Sequence, residues 1–157
     1  AVSSQQSAVS SQQSAVSTGW RVNVEGSSRR EGSQVRSFRD LHAWQRAMDF
    51  VVLVYRATDG WPPPERYGLT QQLRRCSVSI PSNIAEGQGR RSDREFVRFL
   101  RIALGSLQEA ETQIMLGRRL GYCVPETESA LLAAAADLGR IIQGLSRSIE
   151  QDLQVER

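Results

Sequence analysis

From Ser37 onward the apolar residues of this chain recur every three or four positions, in four separate stretches. That spacing is the period of a helix face, whereas a half-buried strand needs a period of two. The chain is thereby confined to all-α arrangements. Ser37 is placed to cap the first helix, with Asp40 three residues on to close a capping box. Leu41, Trp44, Met48, Val51 or Val52, and Tyr55 form its predicted buried stripe, which places the helix from Arg39 to Ala57. Asp59-Gly60 ends it, and Trp61-Pro62-Pro63-Pro64 makes a stiff connector.

The second helix starts near Glu65 or Arg66, just after the prolines, buries Leu69, Leu73, Cys76, Ile80 and Ile84, and ends at Gly87 and Gly89. Ser92 and Glu95 repeat the capping pattern for the third. Its stripe runs Phe96, Leu100, Ala103, Leu107, Ala110 and Ile114, and it stops at Gly121. Gly105 falls in mid-helix, where glycine costs about 1 kcal/mol against alanine. The expected compensation is a close helix crossing at that point. Pro125 opens the fourth helix, whose stripe runs from Leu131 through Ala135, Leu138, Ile142, Leu145 and Ile149 to Leu153. Connectors of only about 5 to 10 residues make successive helices antiparallel, hence an up-down-up-down four-helix bundle.

One stretch resists this regularity. Residues 77–87 place Pro81 inside the second helix, among Ser77, Ser79, Ser82 and Asn83, ahead of Glu86 and Gly87. Proline removes a backbone donor and crowds the carbonyl four residues back, so the helix must bend or find substitute partners. Hydroxyls and amides supply such partners. The structural expectation is that Asn83 bonds backbone near Pro81 and that Glu86 pairs an arginine such as Arg90 or Arg94. The functional alternative is that Asn83 and Glu86 hold a ligand.

The bundle does not use the whole chain. Residues 1–36 begin with a seven-residue block, Ala-Val-Ser-Ser-Gln-Gln-Ser, copied once in full and then begun a third time. Low-complexity sequence without an apolar stripe has nothing to bury and is expected to be disordered. The domains are accordingly 1–36, a disordered N-terminal extension, and 37–157, the bundle. Limited proteolysis is expected to cut first near residues 30–37 and to leave the remainder intact; a chain uncut there would contradict this boundary. The N-terminal stretch has neither the charged start nor the long apolar segment of a secretory signal. No run reaches the roughly 18 apolar residues of a membrane span. Cys76 and Cys123 lack metal spacing. The expectation is a cytoplasmic protein with reduced thiols and no membrane partner.

All 20 basic residues are arginine, whose planar fork binds phosphate and carboxylate in ways lysine does not. Their distribution matters more than the overall charge. Residues 66–101 hold eight arginines and three acids, net +5; residues 102–157 hold five arginines and eight acids, net −3. At 100° per residue Arg91, Arg94, Arg98 and Arg101 fall within roughly 80° of one another, opposite the apolar stripe. With Arg90 they form a basic ridge roughly 15 Å long, and Arg74 and Arg75 add to the same half of the chain. A purely solvating face would interleave glutamates, and only Glu95 is near. Phe96 and Phe99 point inward, so nucleic-acid contact would be to backbone rather than by base stacking.

Catalytic chemistry finds little footing. The single histidine, His42, has no acid or nucleophile at a recognisable spacing. One histidine and two separated cysteines do not build a four-ligand zinc site, and the Glu-x-x-His pairs of a di-iron bundle are missing. No metal, cofactor or enzyme activity is expected.

The string Ser37-Phe38-Arg39-Asp40-Leu41, then Trp44 and Ala47, Tyr67-Gly68-Leu69, Gln72-Leu73-Arg74-Arg75, Ser79-Ile80-Pro81-Ser82-Asn83-Ile84-Ala85-Glu86-Gly87, Gly105-Ser106-Leu107 and Leu120-Gly121-Tyr122 resembles the bacterial four-helix bundle family encoded in intervening sequences of 23S ribosomal RNA genes. The resemblance spans about residues 37 to 153 and extends to the accessory variability protein of diversity-generating retroelements. It implies a homo-oligomer, a ring-like pentamer. In the retroelement relatives it implies a basic surface that engages RNA and a reverse transcriptase. By position that surface would be Arg74, Arg75, Arg90, Arg91, Arg94 and Arg98. The function expected is a non-enzymatic oligomeric bundle binding RNA backbone through arginines. The alternative is a protein-interaction scaffold with no nucleic-acid role.

Overall fold

The computed structural model describes residues 37–155; the predicted disordered extension, 1–36, lies outside them. Four α-helices follow in order: α1 (His42–Ala57), α2 (Leu69–Gly89), α3 (Asp93–Arg119) and α4 (Pro125–Val155). Short 3-10 turns at Phe38–Asp40 and Pro63–Tyr67 precede α1 and α2, and there is no strand among the described residues. Each helix packs on the next and α4 closes on α1, while no Cα atoms of the two diagonal pairs come within 8 Å of each other. Cross-helix pairs give the directions. Arg74 of α2 reaches Tyr55 late in α1, whereas Trp44 and Ala85 share a groove at the other end. Cys76 meets Gln113, Ser79 meets Ser106, and Gly87 lies on Phe99. Arg101 meets Glu150, and Arg118 meets Glu128. Every neighbouring pair is antiparallel, as the short connectors require.

The predicted stripes of α2 and α3 are the buried ones, from Leu73 through Ile84 and from Phe96 through Ile114. α4 buries Leu131, Ala135, Leu138 and Ile142, with Leu145 and Ile149 half-buried at its far end. For α1 the expectation holds for Leu41 and in part for Trp44, and fails further along. Ala43, Ala47, Phe50 and Val54 face the core. Met48 stays 40% exposed and Tyr55 44%. The helix is apolar on two sides one residue, or 100°, apart, and spacing alone does not say which turns inward. The bulkier side is left on the outer flank of α1, where Trp44, Met48 and Val51 share a groove with Val78, Pro81 and Ala85 of α2.

The Ser37 capping box is present, with Ser37 Oγ accepting from Arg39 N at 3.3 Å and Asp40 accepting from Ser37 N at 3.1 Å. It heads the 3-10 turn rather than α1 itself. α3 ends as expected. Gly121 takes φ +77°, Tyr122 N donates to Gly117 O at 2.8 Å, and Gly121 N donates to Arg118 O at 3.0 Å, the double closure of a Schellman motif. α2 ends differently. Gly87 and Gly89 are both inside the helix, and Arg91 occupies the left-handed position at φ +55°.

The glycine expected at a helix crossing is also a different one. A Cβ on Gly105 would meet open space, so that glycine is not a crossing point. The close approaches are at Gly87, where a Cβ would lie 2.5 Å from Phe99 Cβ, and at Gly117, which lies under the benzo edge of Trp61. Pro81 sits buried inside an uninterrupted α2. Ser77 Oγ donates to Arg74 O at 2.8 Å, Ser82 Oγ to Val78 O at 2.9 Å, and Asn83 Nδ2 to Ser79 O at 2.7 Å. Side chains thus bond the carbonyls around the proline.

Candidate nucleic-acid interface

Seven arginines were singled out from the sequence, and the fold divides them into two sets. Arg90, Arg91, Arg94, Arg98 and Arg101 gather at the corner where α2 passes into α3. Arg74 and Arg75 lie toward the other end of α2, facing the α1 flank.

At the corner most of the charge is already answered. Arg90 pairs with Glu86 at 2.5 Å, one helical turn back, and its guanidinium sits 5.5 Å from the Phe99 ring centre. Arg98 pairs with Glu95 at 3.3 Å and Arg101 with Glu150 at 2.7 Å. These pairs are exposed, so each is worth about 0–1 kcal/mol and opens readily to a competing anion. Arg94 and Arg91 have no acid partner among the described residues. The structure also removes Arg91 from the helical ridge: α3 starts at Asp93, and Arg91 is in the connector. The expected roles of Glu86 and Asn83 match what is seen, with Glu86 on Arg90 and Asn83 on Ser79.

The second set has a different character. Arg66, Arg74 and Arg75 line one groove of about 420 Å3, together with Tyr55, Thr70, Gln71 and Val78, and no carboxylate lines it. Arg74 is anchored. Its Nε donates to Thr58 Oγ1 at 2.8 Å, its Nη2 lies 3.4 Å from Tyr55 O, and its guanidinium stacks 4.6 Å from the Tyr55 ring centre. It closes the C-terminus of α1 and holds its remaining donors in a defined direction. Arg75 and Arg66 are exposed and unpaired among the described residues. Arg66 was missed as a site residue because it belongs to the 3-10 turn rather than to α2. Helical spacing gave no signal for it, since eight and nine residues to Arg74 and Arg75 are about 2.2 and 2.5 turns.

Other chemistry is sparse. No group of three His, Cys, Asp or Glu is placed to hold a metal among the described residues, and His42 is exposed on the first turn of α1. No described helix is long and apolar enough to cross a membrane. Cys76 and Cys123 are free thiols, both buried. Burial first, and Glu109 second, push the Cys76 thiol up to about 12.

The family described as 23S rRNA-intervening sequence protein matches residues 39–144, about two thirds of the chain. The chain belongs to this family. Among solved structures the bundle is similar to a protein of unknown function from the S23 ribosomal protein family of Bacteroides thetaiotaomicron. The TM-score is 0.60 at 20% identity, over 66% of this chain and 97% of that one. At that identity the likeness establishes the shared fold. No curated protein matches the chain. The match covers both arginine sets and all of α1 to α3.

Proposed function

We propose that this protein is a non-enzymatic, self-associating bundle that holds RNA by its backbone. The observation that carries the reading is the groove of Arg66, Arg74 and Arg75, which no carboxylate lines. Three guanidinium groups on one wall suit successive phosphates, and Tyr55 offers an exposed aromatic face beside them. The corner of Arg90, Arg91, Arg94, Arg98 and Arg101 extends the basic surface with weaker, partly neutralised charge. Self-association is supported by the apolar flank of α1, where Met48, Val52 and Leu53 are exposed and Met48 shares a groove with Val78. A ring of five is the size the family resemblance implies, and the mass in solution decides it.

Titration of single-stranded RNA of unrelated sequence, at several salt concentrations, tests the reading. Three phosphate contacts predict a log–log salt slope near −2, at about −0.7 per phosphate. Arg66→Gln/Arg75→Gln is expected to weaken binding at least about tenfold and to flatten the slope by about 1.4, with the oligomeric mass unchanged. Arg91→Ala/Arg94→Ala/Arg98→Ala is expected to do less, because Arg98 is already paired with Glu95 and Glu86, Asp93 and Glu95 are interspersed among the arginines of that corner. Binding indifferent to salt, or unchanged in Arg66→Gln/Arg75→Gln, would overturn the RNA reading and favour a protein scaffold.

A further inference from the structure

Beside the arginine groove, and sharing three of its residues, is a smaller cavity of about 150 Å3 under the α1–α2 connector. Thr58, Asp59, Trp61, Arg66, Thr70 and Arg74 line it. Two of them carry buried polar atoms with no hydrogen-bond partner, Trp61 Nε1 and Thr70 Oγ1, and these are the two such side-chain atoms among the described residues. Trp61 is 6% exposed and Thr70 7%, so bulk water does not serve either. Buried donors are ordinarily paired, and an orphaned one points to a missing acceptor.

The chemistry of the lining selects what that acceptor is. An indole N–H and a guanidinium donate and never accept. Arg74 commits Nε to Thr58 and Nη2 to Tyr55 O, leaving Nη1 uncommitted. Arg66 is unpaired among the described residues. The Thr58 hydroxyl has no proton left to give, since it donates to Val54 O at 2.8 Å while accepting from Arg74. The groups that remain are therefore one indole, one threonine hydroxyl and two guanidiniums, against the single carboxylate of Asp59. A ligand with several acceptor oxygens and negative charge fits this set. The cavity, at about 150 Å3, has room for such a ligand.

The geometry points to this cavity as a binding site for a phosphate-type oxyanion, either inorganic phosphate or the terminal phosphate of an RNA strand lying in the adjoining groove. The cavity itself stands apart from the RNA reading; only the second source rests on it. Trp61 N–H, the Thr70 hydroxyl and the Arg66 and Arg74 guanidiniums donate to the oxyanion, and Asp59 sets a limit on its charge. The benzo edge of Trp61 is fixed against Gly117 on α3, so the indole donor does not swing.

The test is nuclear magnetic resonance of the full-length protein labelled with nitrogen-15, following the indole N–H signals of Trp20, Trp44 and Trp61 at constant ionic strength. Inorganic phosphate is expected to shift the Trp61 signal saturably and to leave the Trp44 signal in place. Thr70→Val, which keeps the shape of the side chain, and Arg66→Gln, which lies on the surface, are each expected to weaken the apparent affinity about tenfold, with melting curves confirming that both fold. An RNA oligonucleotide with a terminal phosphate, compared with its hydroxyl-ended twin, separates the sources. A shift and tighter binding with the phosphorylated strand alone identify an RNA end. A shift with inorganic phosphate and equal binding of the two strands identify free phosphate. No saturable Trp61 shift with any of these probes, or the same shift with chloride, overturns the inference. The hydroxyl-ended strand separately reports the groove: if it binds while Trp61 stays silent, the cavity reading alone fails, and if phosphate moves Trp61 while neither strand binds, the RNA reading alone fails.

Discussion

Trp61→Ala is expected to destabilise the bundle by about 3–5 kcal/mol, the usual loss for removing a buried large aromatic side chain. The indole is 6% exposed and joins parts of the chain that are far apart in sequence. Its benzo edge lies on Gly117 of α3, and its ring centre is 5.7 Å from that of Tyr122. The Tyr122 hydroxyl donates to Glu65 at 3.0 Å, and the other oxygen of Glu65 accepts from Leu69 N at 2.8 Å, closing the start of α2. The connector is thereby tied to the end of α3 and the beginning of α2 together.

Gly117→Ala gives the same contact a sharper test, because its sign depends on Trp61. A methyl group there would overlap the indole, and overpacking of this kind costs about 1–3 kcal/mol. Alanine in a helix interior returns up to about 1 kcal/mol of propensity. The substitution is therefore expected to destabilise the natural chain and to stabilise the Trp61→Ala chain. Urea unfolding of the four proteins in a double-mutant cycle measures the coupling. Equal effects of Gly117→Ala in both backgrounds would show that the two side chains do not meet.

Alkali is expected to weaken the fold above about pH 9, by roughly 1.4 kcal/mol per pH unit up to about pH 12. Cys76 Sγ is 5% exposed, 3.2 Å from Leu73 O and 3.3 Å from Gln113 Oε1. Burial and then Glu109 raise its pKa from 9.0 to about 12. Below pH 9 both folded and unfolded thiols are protonated, and the folded state has its full stability. Between pH 9 and 12 the unfolded chain releases a proton that the folded one retains, so unfolding becomes progressively easier. Tyr122 acts in the same direction, since its hydrogen bond to Glu65 raises its pKa. Unfolding in urea at pH values from about 8 to 11 checks the slope. Cys76→Ala is expected to lose most of it and to keep the smaller part due to Tyr122. A slope unchanged in Cys76→Ala would assign the effect elsewhere. Only the thiolate reacts rapidly with alkylating reagents, so folded Cys76 is expected to resist them at neutral pH.

The arginine surface shows where reading from the sequence succeeds and where it stops. Net charge by segment located the basic half correctly, because charge is a property of composition. It did not separate the two sets. Arg101 meets Glu150, a residue 49 positions away, and no local window contains that partner. Arg66 meets Arg74 and Arg75 across one groove only because the Pro63–Tyr67 turn folds back beside α2. The cavity under the connector had no sequence signal at all, since an unpaired donor exists only relative to its surroundings.

What the sequence by itself determined is the set of helices, the end of α1, both ends of α3 and the start of α4. The hydrogen bonds of a helix close within four residues, and a cap acts within three. The stripes of α2 and α3, the Ser37 and Ser92 caps and the Gly121 stop were therefore legible locally. Only the tertiary structure decided which apolar side of α1 turns inward, and that Gly87 and Gly117 rather than Gly105 admit a neighbour. It also decided which arginines remain free for a polyanion. The physical reason is common to all three: burial, close approach and charge pairing are set by whichever side chain another helix brings alongside, and a helical period carries no record of its neighbours.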